Sequence, residues 1–198
     1  MRISSVILLS FILLSACKKG DEDPWLSLKT RTARLADEWQ VVEAEWETND
    51  SIASFADGEY KIYLNNIEYV GVEGSMTFVF LKQGSYAINR TVNYPDNWKG
   101  TNSIAFTEDY EETGSWQFTG GAGEVKEKSQ LLLLPNKVQT SRFIGSALDV
   151  ISYSGQNEGR VYDLLKLTDG ETKLVYRRER SDDLDTYISA AEITLHPL

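Results

Sequence analysis

The sequence is poor in the residues that build metal, redox and triad sites. Its 198 residues include one cysteine and one histidine, Cys17 and His196. A histidine-based metal cluster, a triad with an internal histidine and an intrachain disulfide are therefore excluded. The G-x-S-x-G motif of a serine hydrolase is absent as well. The sequence thus predicts a protein that is not an enzyme and holds no metal or other cofactor.

Proline and long apolar runs are also scarce. The chain has 4 prolines against 14 glycines, and only residues 3–14 form an almost unbroken apolar run. That run suits the apolar region of an export signal and is too short to cross a bilayer core of about 30 Å as a helix. No later segment is apolar enough to cross a membrane. The run therefore predicts a signal for export.

A lipid-attachment motif follows the apolar run. Leu14-Ser15-Ala16-Cys17 has small residues that can enter a narrow peptidase site, and a thiol that can take a diacylglyceryl group. This pattern resembles the lipobox of bacterial lipoproteins. The motif predicts cleavage between Ala16 and Cys17, followed by palmitate-type acylation of Cys17. The acyl chains would anchor the protein, because each buried CH₂ adds about 0.8 kcal/mol to the free energy of membrane binding. The alternatives are an ordinary secretory signal with a chance cysteine, or an uncleaved anchor helix.

The motif leads into a polar stretch that contains an acidic cluster, Asp21-Glu22-Asp23. The cluster is either an address for the outer face of a Gram-negative outer membrane or a plain solvated linker. We predict a signal peptide over residues 1–16, an acylated cysteine with a flexible tether over 17–27 and a folded domain over 28–198. The expected location is the outer membrane, on its periplasmic or surface face.

Positive charge is in short supply in this chain. Lys and Arg total 20 against 30 Asp and Glu, which gives a net charge of −10. Phosphate groups would be repelled, so we expect no nucleic-acid partner. Aromatic residues are plentiful, with 10 Tyr, 7 Phe and 5 Trp, and this composition favours a β protein.

Alternating apolar residues predict most of the folded domain as strands. Residues 76–80 and 86–92 form a hairpin with period 2 on both arms, and residues 161–167 and 172–178 form a second hairpin around Asp169-Gly170. A final strand covers residues 187–195. With the other candidates this makes 8–10 strands, and such a sheet closes to protect its edges. The predicted fold is an all-β, antiparallel, up-and-down barrel with a short N-terminal helix.

The N-terminal part of the domain has two possible readings. Residues 28–35 suit one or two helical turns with basic side chains outside. The apolar spacing from Leu35 to Trp46 fits a helix, but it also fits a strand whose inward face changes at Val41-Val42 through a bulge. We predict a short helix followed by a strand.

Three other segments have irregular patterns. Residues 93–114 read as a long polar loop with one short strand at 103–107. Within it, residues 108–112 could gather oxygens for Ca²⁺ or form a solvated acidic loop, and the loop is favoured. Residues 130–134 read as an apolar strand that ends at Pro135-Asn136. Residues 143–153 read as one further strand.

Four segments in order resemble the lipocalin-like domain of Gram-negative lipoproteins. They are residues 35–42, where Trp39 opens the first strand, the hairpin over 77–86, Gly114-Ser115-Trp116-Gln117-Phe118, and the late strand over 162–168. The resemblance implies a barrel whose interior accepts a hydrophobic molecule.

Six aromatic side chains are candidates for the barrel interior. They could line a cavity for one small hydrophobic ligand, or they could fill the barrel as ordinary core. Arg90 has the same parity as Tyr86. It could point inward and pair with a carboxylate or with the anionic head of a ligand, or it could lie near a rim in water. The position near a rim is favoured. The six are Trp39, Phe78, Phe80, Tyr86, Trp116 and Phe118.

Two functions remain open from the sequence. The first is a lipid-anchored protein that binds a small hydrophobic ligand inside the barrel. The second is a non-catalytic interaction module of a cell-surface complex, which would need a protein partner and an exposed apolar patch near Trp25 or Trp98.

Overall fold

The computed structural model describes residues 29–49, 51–64, 67–98, 103–120, 128–155, 158–181 and 186–198. The predicted signal peptide, Ala16, Cys17, the tether and Trp25 lie outside the described residues. Over those residues, no helix has the length and apolarity that a membrane span requires.

The domain is an antiparallel sheet with one very short helix. Each strand pairs with the next strand along the chain, except that β9 pairs with β7 rather than with β8. The elements are α1 (Arg31–Leu35), β1 (Glu38–Thr48), β2 (Ser51–Ala56), β3 (Glu59–Leu64), β4 (Ile67–Phe80), β5 (Ser85–Tyr94), β6 (Phe106–Thr119), β7 (Gln130–Ile144), β8 (Ala147–Ser154), β9 (Arg160–Leu167), β10 (Thr172–Ser181) and β11 (Thr186–Pro197).

Ten of the strands close into a barrel, and β8 is an additional strand beside β7. The ring closes because β1 pairs with β11 and β6 pairs with β7. The predicted all-β, up-and-down antiparallel barrel with a short N-terminal helix is therefore confirmed. Every second side chain points inward, and the core is built mainly from aromatic and branched aliphatic side chains.

The two ends of the barrel differ in their strand number. Near α1, residues 38–40 of β1 pair directly with β4, so eight strands form the ring there. Further along, the β2–β3 hairpin enters between β1 and β4, which widens the ring. We call the narrow end, with α1, the closed end, and the other the wide end.

The helix lies over the closed end. Its N-terminus is capped by the hydroxyl of Thr30, which accepts a hydrogen bond from the Ala33 amide at 3.1 Å. The helix is confirmed, but the expectation that its basic side chains face outward is wrong, because Arg31 and Arg34 are both buried. An Arg34 guanidinium nitrogen donates to the Leu167 carbonyl at 2.5 Å, which ties the helix to β9.

The predicted bulge in β1 is present. The pairing register with β11 shifts between Val41 and Glu43. As a result, Trp39 and Val41 are buried before the bulge and Ala44 is buried after it. The shift explains why the apolar spacing of this segment also fits a helix.

The predicted loop over residues 93–114 is wrong in its second half. β6 begins at Phe106 and continues for 14 residues, pairing with β5 and β7 along its length. Its acidic part is neither a solvated loop nor an open cation site, since Glu108 and Glu112 are buried and pair with arginines. Those ion pairs let carboxylates occupy inward positions that the sequence assigned to solvent.

Two strand boundaries in the region of β7 also differ from the expectation. β7 runs through Pro135 to Ile144, with a register shift against β6 at Thr113–Gly114, so the proline does not end it. Residues 143–153 form the end of β7, a two-residue turn and β8 rather than one strand. The side chains of β8 are all exposed, because β8 lies outside the ring.

Candidate ligand-binding site

The six aromatic candidates gather inside the barrel, mostly toward the closed end. Five are buried and Phe118 is half-buried against the core. Four rings follow one another: Phe78 lies 6.0 Å from Phe80, Phe80 lies 5.9 Å from Trp116, and Trp116 lies 5.4 Å from Phe118, between ring centroids. Tyr86 lies 6.5 Å from Phe80.

The two tryptophans of this group are anchored by their indole N–H groups. Trp39 donates to the Leu35 carbonyl at 2.9 Å, and Trp116 donates to the Leu81 carbonyl at 3.0 Å. The guanidinium of Arg31 lies 5.7 Å from the centre of the Phe118 ring. The closed end is therefore packed core under a helix, with both indole N–H groups hydrogen-bonded to backbone carbonyls.

A cavity of about 330 Å³ lies in the wide half of the barrel. Its volume falls in the lower part of the range of ligand pockets, about 300–1,000 Å³. Of the six predicted aromatic residues, Phe78 lines it. The wall is otherwise mostly apolar and aromatic, and it is formed by Trp46, Ala53, Tyr60, Ile62, Met76, Phe78, Ile88, Arg90, Val92, Tyr94, Tyr110, Arg160, Tyr162 and Ile193.

Glu112 is the centre of a buried polar cluster beside this cavity. Its side chain is 1% exposed. One carboxylate oxygen accepts from Tyr86 Oη at 2.6 Å and also pairs with Arg160, while the other accepts from Tyr110 Oη at 2.5 Å. Burial first, and then the bond to Glu112, raise the pKa of Tyr86 and of Tyr110. Both phenols thus keep the proton that they donate.

Glu108, four residues before Glu112 on the same face of β6, is the centre of a second cluster. Its two oxygens accept from different arginines, Arg90 at 2.8 Å and Arg142 at 3.0 Å. Arg90 also lies over the Tyr110 ring, 5.4 Å from its centre. Arg90 therefore points inward and pairs with a carboxylate, which is the less favoured of the two alternatives, while its side chain stays 32% exposed.

Tyr60 adds a polar atom to the cavity wall that nothing in the described part of the chain satisfies. The residue is 4% exposed and its hydroxyl has no hydrogen-bond partner there. Burial raises the pKa of Tyr60 to about 12, although the nearby positive charge of Arg90 acts in the opposite direction. The hydroxyl is a neutral donor in the wall of the cavity.

A metal site and an open surface depression are less well supported than the interior cavity. Among the residues that the structure describes, no three His, Cys, Asp or Glu side chains come together as metal ligands. A larger and more open depression of about 590 Å³ crosses β1, β2, β10 and β11. Its lining carries charges of both signs, including Glu43, Glu45, Lys173 and Arg177, so it suits an apolar ligand less well than the interior cavity does.

The fold and the cavity define a class of protein, an antiparallel barrel with an interior pocket. In comparisons with known proteins, no family model matches the chain, and neither a curated protein nor a solved structure matches it. The functional argument therefore depends on the geometry of the site.

The sequence prediction missed most of the polar residues of the site. Glu108, Tyr110 and Glu112 have the same parity as Trp116 and Phe118, so extending that alternation backwards would have placed them inside. Their charge concealed the pattern. Arg160 likewise shares the parity of the buried residues Tyr162 and Leu164, but no apolar residue precedes it to mark the start of the strand.

Proposed function

We propose that this chain is a non-catalytic, lipid-anchored binding protein of the outer membrane that holds a small, mostly apolar ligand inside its barrel. The anchor in this proposal is the lipid on Cys17, as the lipobox-like motif predicts. The observation that carries the binding role is the cavity of about 330 Å³, with its mainly apolar and aromatic wall. A barrel packed solidly along its length would have left no room for a ligand.

The cavity gives this proposal a direct test. Ala53 lines the cavity from β2, whereas Ala56, on the same strand, is exposed. Ala53→Phe should fill the cavity, and Ala56→Phe adds the same ring outside. Native mass spectrometry of the full chain, produced by export and released from micelles, should find an added mass that solvent extraction removes. We expect this mass in the wild type and in Ala56→Phe, but not in Ala53→Phe.

Either of two results would count against the binding role. The first is a bare mass for the folded wild type under conditions that preserve noncovalent complexes. The second is an added mass that Ala53→Phe retains in full, because the ligand would then occupy another place. Mass spectrometry of the same sample also reports whether Cys17 carries acyl chains, which tests the anchor independently.

An exposed apolar hairpin supports a second candidate, an interaction module. The end of β7 and β8 expose large apolar side chains, and β8 has β7 as its one paired strand among the described residues. Unprotected edges of this kind invite another strand. Trp98 is not one of these side chains, and its ring packs against Tyr94 and Phe106. The exposed side chains are Phe143, Ile144, Leu148, Val150, Ile151 and Tyr153.

A second copy of the chain is the partner that this edge fits best. The two-residue turn after Ile144 makes Ile144 and Ala147 a closing pair, so Val150 directs its backbone groups outward. An antiparallel pairing of two copies about Val150 places Asp149, the one charge on β8, opposite the other copy's Ile151. No like charges face each other. Light scattering should find a dimer for the wild type and a monomer for Val150→Pro. Val161→Pro is not a suitable control, because β9 is paired on both sides.

A control for the dimer needs an exposed apolar residue outside β8. Val161 on β9 is 42% exposed and Val150 is 46% exposed, so Val161→Lys and Val150→Lys form a matched pair. Val150→Lys should dissociate the dimer and Val161→Lys should not. A wild type that stays monomeric at high concentration would remove this candidate.

A further inference from the structure

The charged side chains that line the cavity are positive, whereas the net charge of the whole protein is negative. The whole protein carries a net charge of −10, yet the charged side chains among the lining residues are two arginines, Arg90 and Arg160. Excess positive charge in a partly buried site attracts anions more strongly than the same charge in water does. The net charge of the protein as a whole therefore does not predict the charge that this site prefers.

The carboxylates beside the cavity do not fully balance these arginines. Glu108 pairs with Arg90 and Arg142, and Glu112 pairs with Arg160. Three guanidinium groups thus share two carboxylates, which leaves an excess of one positive charge. The side chain of Arg142 is 47% exposed and that of Arg90 is 32% exposed, so water screens part of this excess. An anionic group in the cavity would balance the rest.

Hydrogen-bond donors are also left over in the same place. The Nε atoms of Arg90 and Arg160 are buried, and neither has a hydrogen-bond partner in the part of the chain that is described. The same holds for the hydroxyl of Tyr60. All three residues line the cavity. An acceptor-only group such as a carboxylate can use donors of this kind, and bonds between ions are stronger than neutral ones.

The remaining wall suits an apolar body. Met76, Phe78, Ile88, Val92 and Ile193 line the cavity and are all buried. Because no charged side chain other than the two arginines lines it, a ligand that fits both parts has one anionic end and an apolar remainder.

We propose that the barrel binds an anionic amphiphile of the fatty-acid type, with its carboxylate at Arg90 and Arg160 and its hydrocarbon part against the apolar wall. This inference rests on the proposed binding function and specifies the chemical class of its ligand. It assigns Arg90 and Arg160 a role in binding in addition to their ion pairs.

The two arginines that pair with Glu108 provide a matched pair of variants for the test. Arg90 and Arg142 each bind one oxygen of its carboxylate, but Arg90 lines the cavity and Arg142 does not. Arg90→Gln and Arg142→Gln therefore remove the same charge from the same ion cluster. Each leaves Glu108 with one arginine. The two variants separate a role in ligand binding from a role in charge balance.

The experiment is calorimetric titration of the full chain, in a nonionic detergent at about pH 8, where a carboxylic acid is ionised. The ligands are decanoate, methyl decanoate and decylamine, which share a chain and differ in the charge of the head. The affinity of each ligand is corrected for its measured partitioning into the micelles, which is the same for the three proteins. Affinities can then be compared between ligands and between proteins. We expect the wild type to bind decanoate at least about tenfold more tightly than the ester, and the amine least tightly.

The variants then decide between the alternatives. Arg90→Gln should lose most of the preference for decanoate over the ester, while Arg142→Gln should retain it. Equal binding of decanoate and the ester by the wild type, or equal loss in both variants, would overturn the anionic ligand but leave the binding function intact. Failure of all three ligands to bind would instead contradict the binding function. If Arg90→Gln does not fold, the wild-type order of the three ligands decides alone.

Discussion

Glu112 on β6 and Arg160 on β9 form an ion pair inside the barrel, although β7 lies between their strands. The pair joins strands that make no backbone hydrogen bonds to each other. Because Tyr86 and Tyr110 also donate to Glu112, the carboxylate links β5, β6 and β9 beside the cavity. It therefore has a structural role beside the candidate site, where it holds two of the lining residues, Tyr110 and Arg160.

Glu112→Gln should destabilise the fold by about 2 kcal/mol, since hydrogen bonds to a charged group contribute about 1.5–3 kcal/mol. Glu111→Gln is the control, because Glu111 is the adjacent residue, is 45% exposed and pairs with Lys137 in solvent. The control should change stability by less than about 0.5 kcal/mol. Urea unfolding measures both values. Equal effects of the two substitutions would show that the cluster is not a stabilising unit.

Gly114→Ala should destabilise the barrel by about 2 kcal/mol or more. A Cβ at this position would lie 2.2 Å from the Leu134 carbonyl oxygen and 2.8 Å from a ring carbon of Tyr86, and the backbone oxygen cannot move without shifting β7. Gly170→Ala is the control, because a Cβ there meets no atom within 4 Å. We expect its effect to stay within about 0.5 kcal/mol. Thermal unfolding compares the two, and a neutral Gly114→Ala would be inconsistent with this close packing.

Trp39→Phe should lower the free energy of unfolding by loosening the packing at the closed end. The substitution removes the 2.9 Å hydrogen bond from the indole to the Leu35 carbonyl. Because Trp39 is 1% exposed, the smaller phenyl ring also leaves a void in the core. We expect a loss of about 2 kcal/mol. Trp98→Phe should cost less than about 1 kcal/mol, since Trp98 is only half-buried and its ring contacts can be kept by a phenyl ring. Denaturant unfolding tests the difference, and equal losses would argue against the anchoring role.

Stability should fall as the pH rises above 10, because Tyr60 must stay neutral in the fold. Its pKa is raised from 10.0 to about 12, so between these values the unfolded chain releases a proton that the folded chain retains. Below pH 10 both states keep the proton and this group adds no pH dependence, whereas the unfolding free energy falls as the pH rises from 10 to about 12. The total decrease from this group is about 3 kcal/mol.

Tyr60→Phe should make the unfolding free energy less dependent on pH in this alkaline range. It should also leave stability at neutral pH unchanged or slightly higher, because the hydroxyl that it removes has no partner among the described residues. Urea titrations at several pH values measure both effects. A Tyr60→Phe variant with the same alkaline slope as the wild type would assign the slope to the other buried tyrosines.

Local patterns in the sequence determined the class of the fold. Strict alternation in residues 76–80 and 86–92, and the Asp169-Gly170 turn, specify neighbouring strands without reference to the rest of the chain, because period 2 and turn chemistry are local properties. The change of face in β1 was also readable, since a bulge leaves two adjacent apolar residues, Val41 and Val42.

Only the tertiary structure decided where the charged residues lie. Glu108, Glu112, Arg90 and Arg160 come from three strands, and the two carboxylates can be buried only because the two arginines supply the opposite charge. A sequence pattern that treats each charge alone places all four in water. For the same reason β8, which is as apolar as a core strand, could not be recognised as exposed. Its exposure depends on whether β9 or β8 occupies the place beside β7 in the ring, and that is settled by long-range pairing.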